Sequence, residues 1–546
     1  MNNVLLSFGA LLLGLLGMVL PASGQTYSWA INESGSQADA TLAITTDINQ
    51  NVYSYISFTG SITLDSAGVS KTFTGFGNKD IAIIKKNCLG EFQWAVIIGS
   101  PNIECGDFNL GGLASDSSGN IYASGSFRGM ATFVSSNGTT ISRGIAVVPT
   151  TIDDAFIMKI NNAGIVQWVN TASSSTDDEA GRLRLDRQGN IYFTGMFSNN
   201  CLFTSVGGSP VTLTSNGNTD IFVAKYSPSG ELLLTMEGGA AFQDIGYDVD
   251  IDSTGNIYVC GAFGSGGAGG INLGNIITNN GSFGAFIAKA DPSGTWLWAN
   301  SMGSAGDERY YSVRVDDLYD RVYVSGHFTG NSFVTTRPGG STYALNSAGN
   351  YDISLVCMNT NGANQWARSM GGINNDYSVG MTLDKNHNVL IGGEFIGGLT
   401  VGTLSISSTG NSSAYILRHS RLNVPLNLYK IGTTSPGFRQ VVALHRSSSN
   451  ALFAGGYFIG ANVYFGDDTL TSKGNSDAFT AKIDDGTLTM IRANKTTIQC
   501  TGDTSILDIP NKGFGLYRWF RNDTLFTETT TPKIQTNWAG NYKVVS

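Results

Sequence analysis

With 546 residues, 70 glycines, only 11 prolines and 13 % charged side chains, the chain reads as many short strands joined by tight turns rather than as helices or a disordered linker. A formal net charge of −9 and the lack of any Lys/Arg run argue against a nucleic-acid partner or an anionic membrane surface.

At the N-terminus, Val4 to Leu20 is an apolar run followed by Pro21-Ala22-Ser23-Gly24, small residues where a signal peptidase reads. Residues 1–24 are therefore expected to be a signal peptide cleaved before Gln25, leaving a mature chain without membrane insertion, secreted or at the outer cell surface. The alternative is a transmembrane anchor, which needs about 20 apolar residues. Six cysteines, at 88, 105, 201, 260, 357 and 500, form no Cys-x-x-Cys and have no His at zinc-ligand spacing. Cys88 and Cys105 fall at opposite ends of their strands, so mostly unpaired thiols are expected.

One stretch, Gly255-Asn256-Ile257-Tyr258-Val259-Cys260-Gly261-Ala262-Phe263, recurs seven times. The copies begin at Asn51, Asn120, Asn190, Asn256, Arg321, Asn388 and Asn450, spaced from 62 residues (Asn388 to Asn450) to 70 (Asn120 to Asn190). An aromatic ring follows each, at Phe58, Phe127, Phe197, Phe263, Phe328, Phe395 and Tyr457, and six copies keep a glycine two places before it, the last being Gly455. Such a period marks one supersecondary unit that needs neighbours to bury its apolar face. The fourth unit shows four strands, Tyr247 to Asp252, Asn256 to Phe263, Ala285 to Ala290 and Thr295 to Asn300, with turns at Gly255-Asn256 and Pro292-Ser293-Gly294. Four antiparallel strands repeated seven times predict an all-β, seven-bladed β-propeller over 25–493.

The repeat resembles the seven-bladed propeller (SBBP-like) repeat family of exported bacterial proteins, with Asp-x-x-Gly-Asn-Ile-Tyr, then Asp-Ala-Phe-x-Ala-Lys, then Gly-Gly-x-x-x-Asp. The middle element appears at 80–85, 154–159, 220–225 and 477–482 and departs at Gly284, Cys357 and Ser413. The resemblance implies the fold and little about activity. Near the N-terminus, Tyr27-Ser28-Trp29-Ala30 looks like the fourth strands Gln93-Trp94-Ala95 and Gln365-Trp366-Ala367, although the seventh unit already has a candidate fourth strand, Thr487 to Ile491. It therefore either completes the last blade or adds a fifth strand. Beyond Ala493 the pattern changes: Leu516 to Phe520 and Gly540 to Val545, with Trp519 as core ring and Tyr542 at a tyrosine-corner position, resemble bacterial immunoglobulin-like repeats. Residues 494–546 are expected to form an incomplete Ig-like β-sandwich with an unpaired edge beside Tyr542 to Val545.

The chemistry-bearing positions are mostly repeated ones. Asp39, Asp107, Asp178, Asp244, Asp307 and Asp376 precede the first strands and gather around one channel mouth. They are read as acceptors for backbone N–H groups of their own loops, with a Ca²⁺ site as the alternative and no other cofactor expected. Asp47, Asp116, Asp186, Asp252, Asp316 and Asp384 mark turns on the opposite face. Lys85, Lys159, Lys225, Lys289, Arg418 and Lys482 end third strands, where six copies suit blade-to-blade pairing. His327, His387, His419 and His445 share no repeat position, and no nucleophile with its base stands out, so no catalytic residue is assigned. The loops Ser135 to Asp153, Cys201 to Thr219, Ser265 to Phe283 and Ser332 to Tyr351 are rich in Ser, Thr, Asn and Gly and are expected to project from one face. The leading expectation is an exported binding or structural module, for a glycan or a cell-surface protein. The alternative is a carbohydrate-active lyase or hydrolase using Asp177, Asp178 and Glu179 beside Glu104 and Asp107.

Overall fold

The computed structural model describes residues 26–493, apart from 67–68, 103–109, 145–151, 265–269, 279–280, 338, 409–411, 432–438, 461–462, 466–467 and 485–491, together with five strands within 505–545. The units fold as seven antiparallel blades whose first strands touch one another in ring order, with Arg439–Arg446 of the last against Ala40–Thr46 of the first. The chain is an all-β seven-bladed propeller. In blade four the strands are Asp244–Ile251, Ile257–Gly264, Phe283–Ala290 and Trp296–Gly303. Every residue of the second is buried, which is why it reads as a nearly unbroken apolar run. Alternate side chains serve opposite neighbours. Val259, Phe263, Phe286 and Ala288 pack with Tyr192, Ile221 and Val223 of blade three, while Tyr258, Cys260, Ala285 and Ile287 pack with Val313, Val324 and Val356 of blade five.

The repeated glycine has a steric cause. A bulge shifts the register of the first strand in most blades, for example between Gly246 and Asp248, and brings it close to the second. A Cβ at Gly195, Gly261, Gly326, Gly393 or Gly456 would lie 1.7 to 2.0 Å from a first-strand carbonyl oxygen. In the seventh blade the glycine and ring are thus Gly456 and Phe458, since Phe458 pairs with Asp477 as Phe395 pairs with Ser413. The expected Gly455 and Tyr457 stand one place early. Asn450, with φ of 68°, fills the left-handed turn position that Gly255 holds at 88°.

The N-terminal strand Thr26–Glu33 pairs directly with Asp477–Asp484 and is the fourth strand of the last blade. The rival segment Thr487 to Ile491 lies outside the described residues. A buried contact locks the join. Glu33 forms an ion pair with Lys86 of blade one and accepts a 2.6 Å hydrogen bond from the Thr480 hydroxyl, and Lys86 also donates to Ser54 Oγ at 2.7 Å.

Several second-to-third connections differ from the expected projecting loops. They fold as hairpins at the outer rim: Met130–Val134 with Thr140–Gly144, Asn200–Phe203 with Val211–Thr214, and Asn331–Val334 with Tyr343–Asn346. Each adds strands to the outer edge of the preceding blade, as where Phe133 pairs with Ile98. Phe133, Phe203 and Val334 are buried there, so their polar spelling marks only the outward face.

Cys201, Cys260 and Cys357 are free and buried, as expected. Cys88 departs from the expectation and is disulfide-bonded. Cys105 and Cys500 lie outside the described residues. Beyond the propeller, Arg492–Ala493, Ser505–Asp508 and Lys533–Thr536 form one three-stranded sheet, and Thr524–Thr529, Tyr517–Arg521 and Tyr542–Val545 another. Tyr542–Val545 is an edge of its sheet. No helix of the described residues is long and apolar enough to cross a membrane.

Candidate functional site

The acidic positions before the first strands act on their own connections. Asp39 accepts hydrogen bonds from the Gly35 and Thr59 N–H groups, Asp178 from Ser198, Asp244 from Ala240, and Asp376 from Gly372 and Ile396. Each carboxylate thus ties the chain four residues before it, or twenty after it, to the start of a blade. Burial raises Asp39, Asp178, Asp244 and Asp376 to about 7. Blade five differs from the expected ring: Glu308 accepts from the Ser304 N–H and is fully buried, whereas Asp307 pairs with the Arg309 guanidinium at 2.9 Å. Asp107 lies outside the described residues. A second layer, from third-strand starts, lies beside the first. Asp80, Asp220 and Asp352 accept from N–H groups four residues earlier, and a Cβ on Gly99, Gly239 or Gly371 would strike these carboxylates. That contact explains the first glycine of Gly-Gly-x-x-x-Asp.

At the opposite mouth the turn aspartates close Asx turns. Asp252 accepts from the Thr254 and Asn256 N–H groups, the Asn256 side chain and Tyr258 Oη, and Asp47 and Asp116 do the same with their own turns. Asp186 and Asp384 keep the backbone and Asn contacts, while Asp316 meets His387 Nδ1 at 3.0 Å. The third-strand lysines join blades. Lys85, Lys159 and Lys289 lie over Tyr53, Tyr122 and Tyr258 and donate to the carbonyls of Asn162, Pro228 and Thr360 in the following blades. Trp94, Trp168 and Trp298 donate to those same carbonyls. Among the described residues no three His, Cys, Asp or Glu side chains gather in a group that could hold a metal ion.

Departures from the repeat carry more information, and two sit on the axis. At the Asp244 end of blades four to six, Tyr247, Tyr311, His327, Tyr351 and Tyr377 form one aromatic cluster with centroid separations of 4.9 to 5.5 Å. Tyr311, Tyr351 and Tyr377 are half-buried. Arg309 lies over Phe283 at 4.5 Å and donates to Tyr247 Oη at 2.8 Å. His327 is buried with neither ring nitrogen hydrogen-bonded to protein, and burial lowers it to about 4. Below this cluster Arg182 crosses the channel. It donates to the Tyr311 carbonyl, Ser312 Oγ and, at 3.4 Å, the Val442 carbonyl of blade seven.

Neither group was singled out from the sequence. The signal was present as charge or aromaticity at inward positions of the innermost strand, as in Arg182-Leu183-Arg184 and Tyr310-Tyr311. Of the acidic constellation Asp177, Asp178 and Glu179, exposed Asp177 accepts from the Asp153 N–H at 3.0 Å, while buried Asp178 serves Ser198. Glu104 and Asp107 lie outside the described residues. The remaining histidines are dispersed, with His445 bonded to Thr46 Oγ1 at 2.9 Å and His419 against Trp366.

No protein-family model matches the chain. An uncharacterized WD repeat-containing protein, L264, of Acanthamoeba polyphaga mimivirus is 25 % identical over 475 residues, which cover 72 % of this chain. The match spans 33 % of that relative, so the chain corresponds to about a third of its length. Among solved structures, a luciferin-regenerating enzyme and a streptogramin B lyase are each 10 % identical, with a TM-score of 0.29 and 68 % of this chain covered. Those alignments cover 90 % and 92 % of the respective chains, a likeness too loose to bear on chemistry.

Proposed function

We propose that the chain is an exported binding module, secreted or held at the outer cell surface, that takes a glycan at the aromatic mouth of blades four to six. The tyrosine cluster carries this reading. Half-buried rings offer flat faces for the C–H surfaces of a sugar, and Arg309, Asp307 and His327 supply a few polar groups beside them. A disulfide at Cys88 favours an oxidising compartment, in keeping with export and with a leader over residues 1–24. The likeness to a WD-repeat protein supports a binding or scaffold role over turnover. The C-terminal sheets fit the part of an Ig-like module appended to the propeller.

A glycan-array screen of the secreted chain, run beside hydrolysis and lyase assays on the same preparation, tests the reading. Binding without turnover is expected, and Tyr377→Ala and Tyr351→Ala should each weaken it at least tenfold with unchanged circular dichroism. Turnover abolished in a variant with Ala at Asp177, Asp178 and Glu179 would make the chain an enzyme, and binding indifferent to both tyrosines would move the site elsewhere.

A further inference from the structure

On the far side of Arg182 the channel widens into a cavity of about 230 Å³, lined by first strands of blades one, two, three, five, six and seven. Arg182, Arg184 and Arg314 line it, together with His445 and Arg446 of blade seven. Arg182, Arg184 and Arg314 surround Asp248 at 3.9, 3.7 and 2.7 Å, and Asp250 stands 3.8 Å from Arg184. The three guanidinium groups around Asp248 outnumber the two carboxylates, and Arg446 of blade seven adds to the positive charge of a partly open lumen with a mixed polar and apolar lining. The three differ in how far their donors are used. Arg182 is held by two carbonyls and a hydroxyl, and Arg314 by Asp248 and the Val313 carbonyl. Arg184 donates only to the Leu183 carbonyl, and its Nη2 and Nε stand 3.7 and 3.8 Å from Asp248 and Asp250, beyond hydrogen-bond reach. Its side chain is 23 % exposed and lines the cavity.

We infer that this cavity is a binding site for a small oxyanion of the phosphate or sulfate type, held chiefly by Arg184 with Arg314 beside it. A guanidinium presents two parallel N–H donors that match two oxygens of such an ion. The mutual repulsion of Arg182, Arg184 and Arg314, which together with burial lowers Arg182 and Arg184, is relieved by an anion. The volume admits one such ion with its waters, and the lining shares no residue with the aromatic cluster. Entry is from the opposite end, where Leu185, Val315 and Leu383 continue the same first strands into an open vestibule. Of the aspartates there, Asp186, Asp252 and Asp384 are bonded within their turns, Asp316 meets His387 and Asp317 accepts from the Ser253 N–H.

The test is calorimetric titration of the full chain with inorganic phosphate and, separately, sulfate, against sodium chloride at matched ionic strength. One ion per chain is expected, with at least tenfold weaker binding in Arg184→Gln and partial retention in Arg184→Lys, both folded by circular dichroism. Should Arg184→Gln fail to fold, phosphate protection of the wild-type chain against thermal unfolding, beyond that given by chloride, gives the same reading. No phosphate- or sulfate-specific heat or protection in the wild-type chain would overturn the inference. So would an affinity unchanged in a folded Arg184→Gln.

Discussion

Asp244 shows what a repeated residue does when it is buried. Its Oδ2 accepts the Ala240 N–H, Oδ1 has no hydrogen-bond partner, and burial with the nearby Asp220 charge raises it to about 7. A carboxyl raised on folding binds more protons in the native state than in the unfolded one between its ordinary value and about 7. Its contribution is therefore complete at low pH and is lost as pH rises through that window. Asp39, Asp154, Asp178 and Asp376 act with the same sign. His327 and His419, lowered to about 4, and His445, lowered to about 3, act with the opposite sign, losing stability as pH falls below the ordinary imidazole value. One carboxyl is isolated by Asp244→Asn, whose melting temperature should fall at or below that of the native chain at pH 5 and approach or exceed it at pH 8. A pH-independent offset between the two curves would show that Asp244 stays ionised. The sequence made the carboxylate positions visible because they recur. It hid the shift to Glu308 in blade five and to Phe458 in blade seven, since a one-residue change in a connection moves the register without changing the spelling.

At the scale of a strand, the second-strand glycines and the N-terminal strand are the most exacting elements. Gly261→Ala would place a methyl 1.8 Å from the Ile245 oxygen, and overpacking of that kind costs about 1–3 kcal/mol or more, read as a lowered denaturant midpoint. In the N-terminal strand, Glu33→Ala leaves Lys86 charged and buried, a loss of about 3–5 kcal/mol. The double variant Glu33→Leu with Lys86→Met removes both charges and should recover most of that loss. If it is no more stable than Glu33→Ala, the pair is not the lock. That Thr26–Glu33 is a strand was legible from Trp29, which repeats Trp94 and Trp366; its place as fourth rather than fifth was open because pairing partners leave no mark on a local pattern. The rim hairpins were hidden for another reason. Their buried residues, such as Phe133 and Phe203, are few and separated by Ser, Thr and Asn that face outward, so composition suggested idle loops.

For the whole molecule, the ring closes through the pairing of Thr26–Glu33 with Asp477–Asp484. Blade seven takes its fourth strand from Thr26–Glu33, and among the described residues every core cluster is built from side chains between Trp29 and Ile483. The seven-fold repeat announced the ring, but it was silent on the channel, because the axis is lined by the inward residues of first strands, where Arg184, Asp248 and Arg314 break the pattern once each. Two truncations separate the ends. A chain stopping after Ala493 retains all four strands of each blade, so its main thermal transition should match that of the full chain. A chain starting at Ser34 exposes Asp477–Asp484 as an unpaired edge and strips Glu33 from Lys86, so it should melt at lower temperature and associate, as exposed edges do. Differential scanning calorimetry with light scattering reads both. Equal damage from the two truncations would mean that the C-terminal strands help to close the ring, and an unaffected chain starting at Ser34 would mean that closure does not need the N-terminal strand.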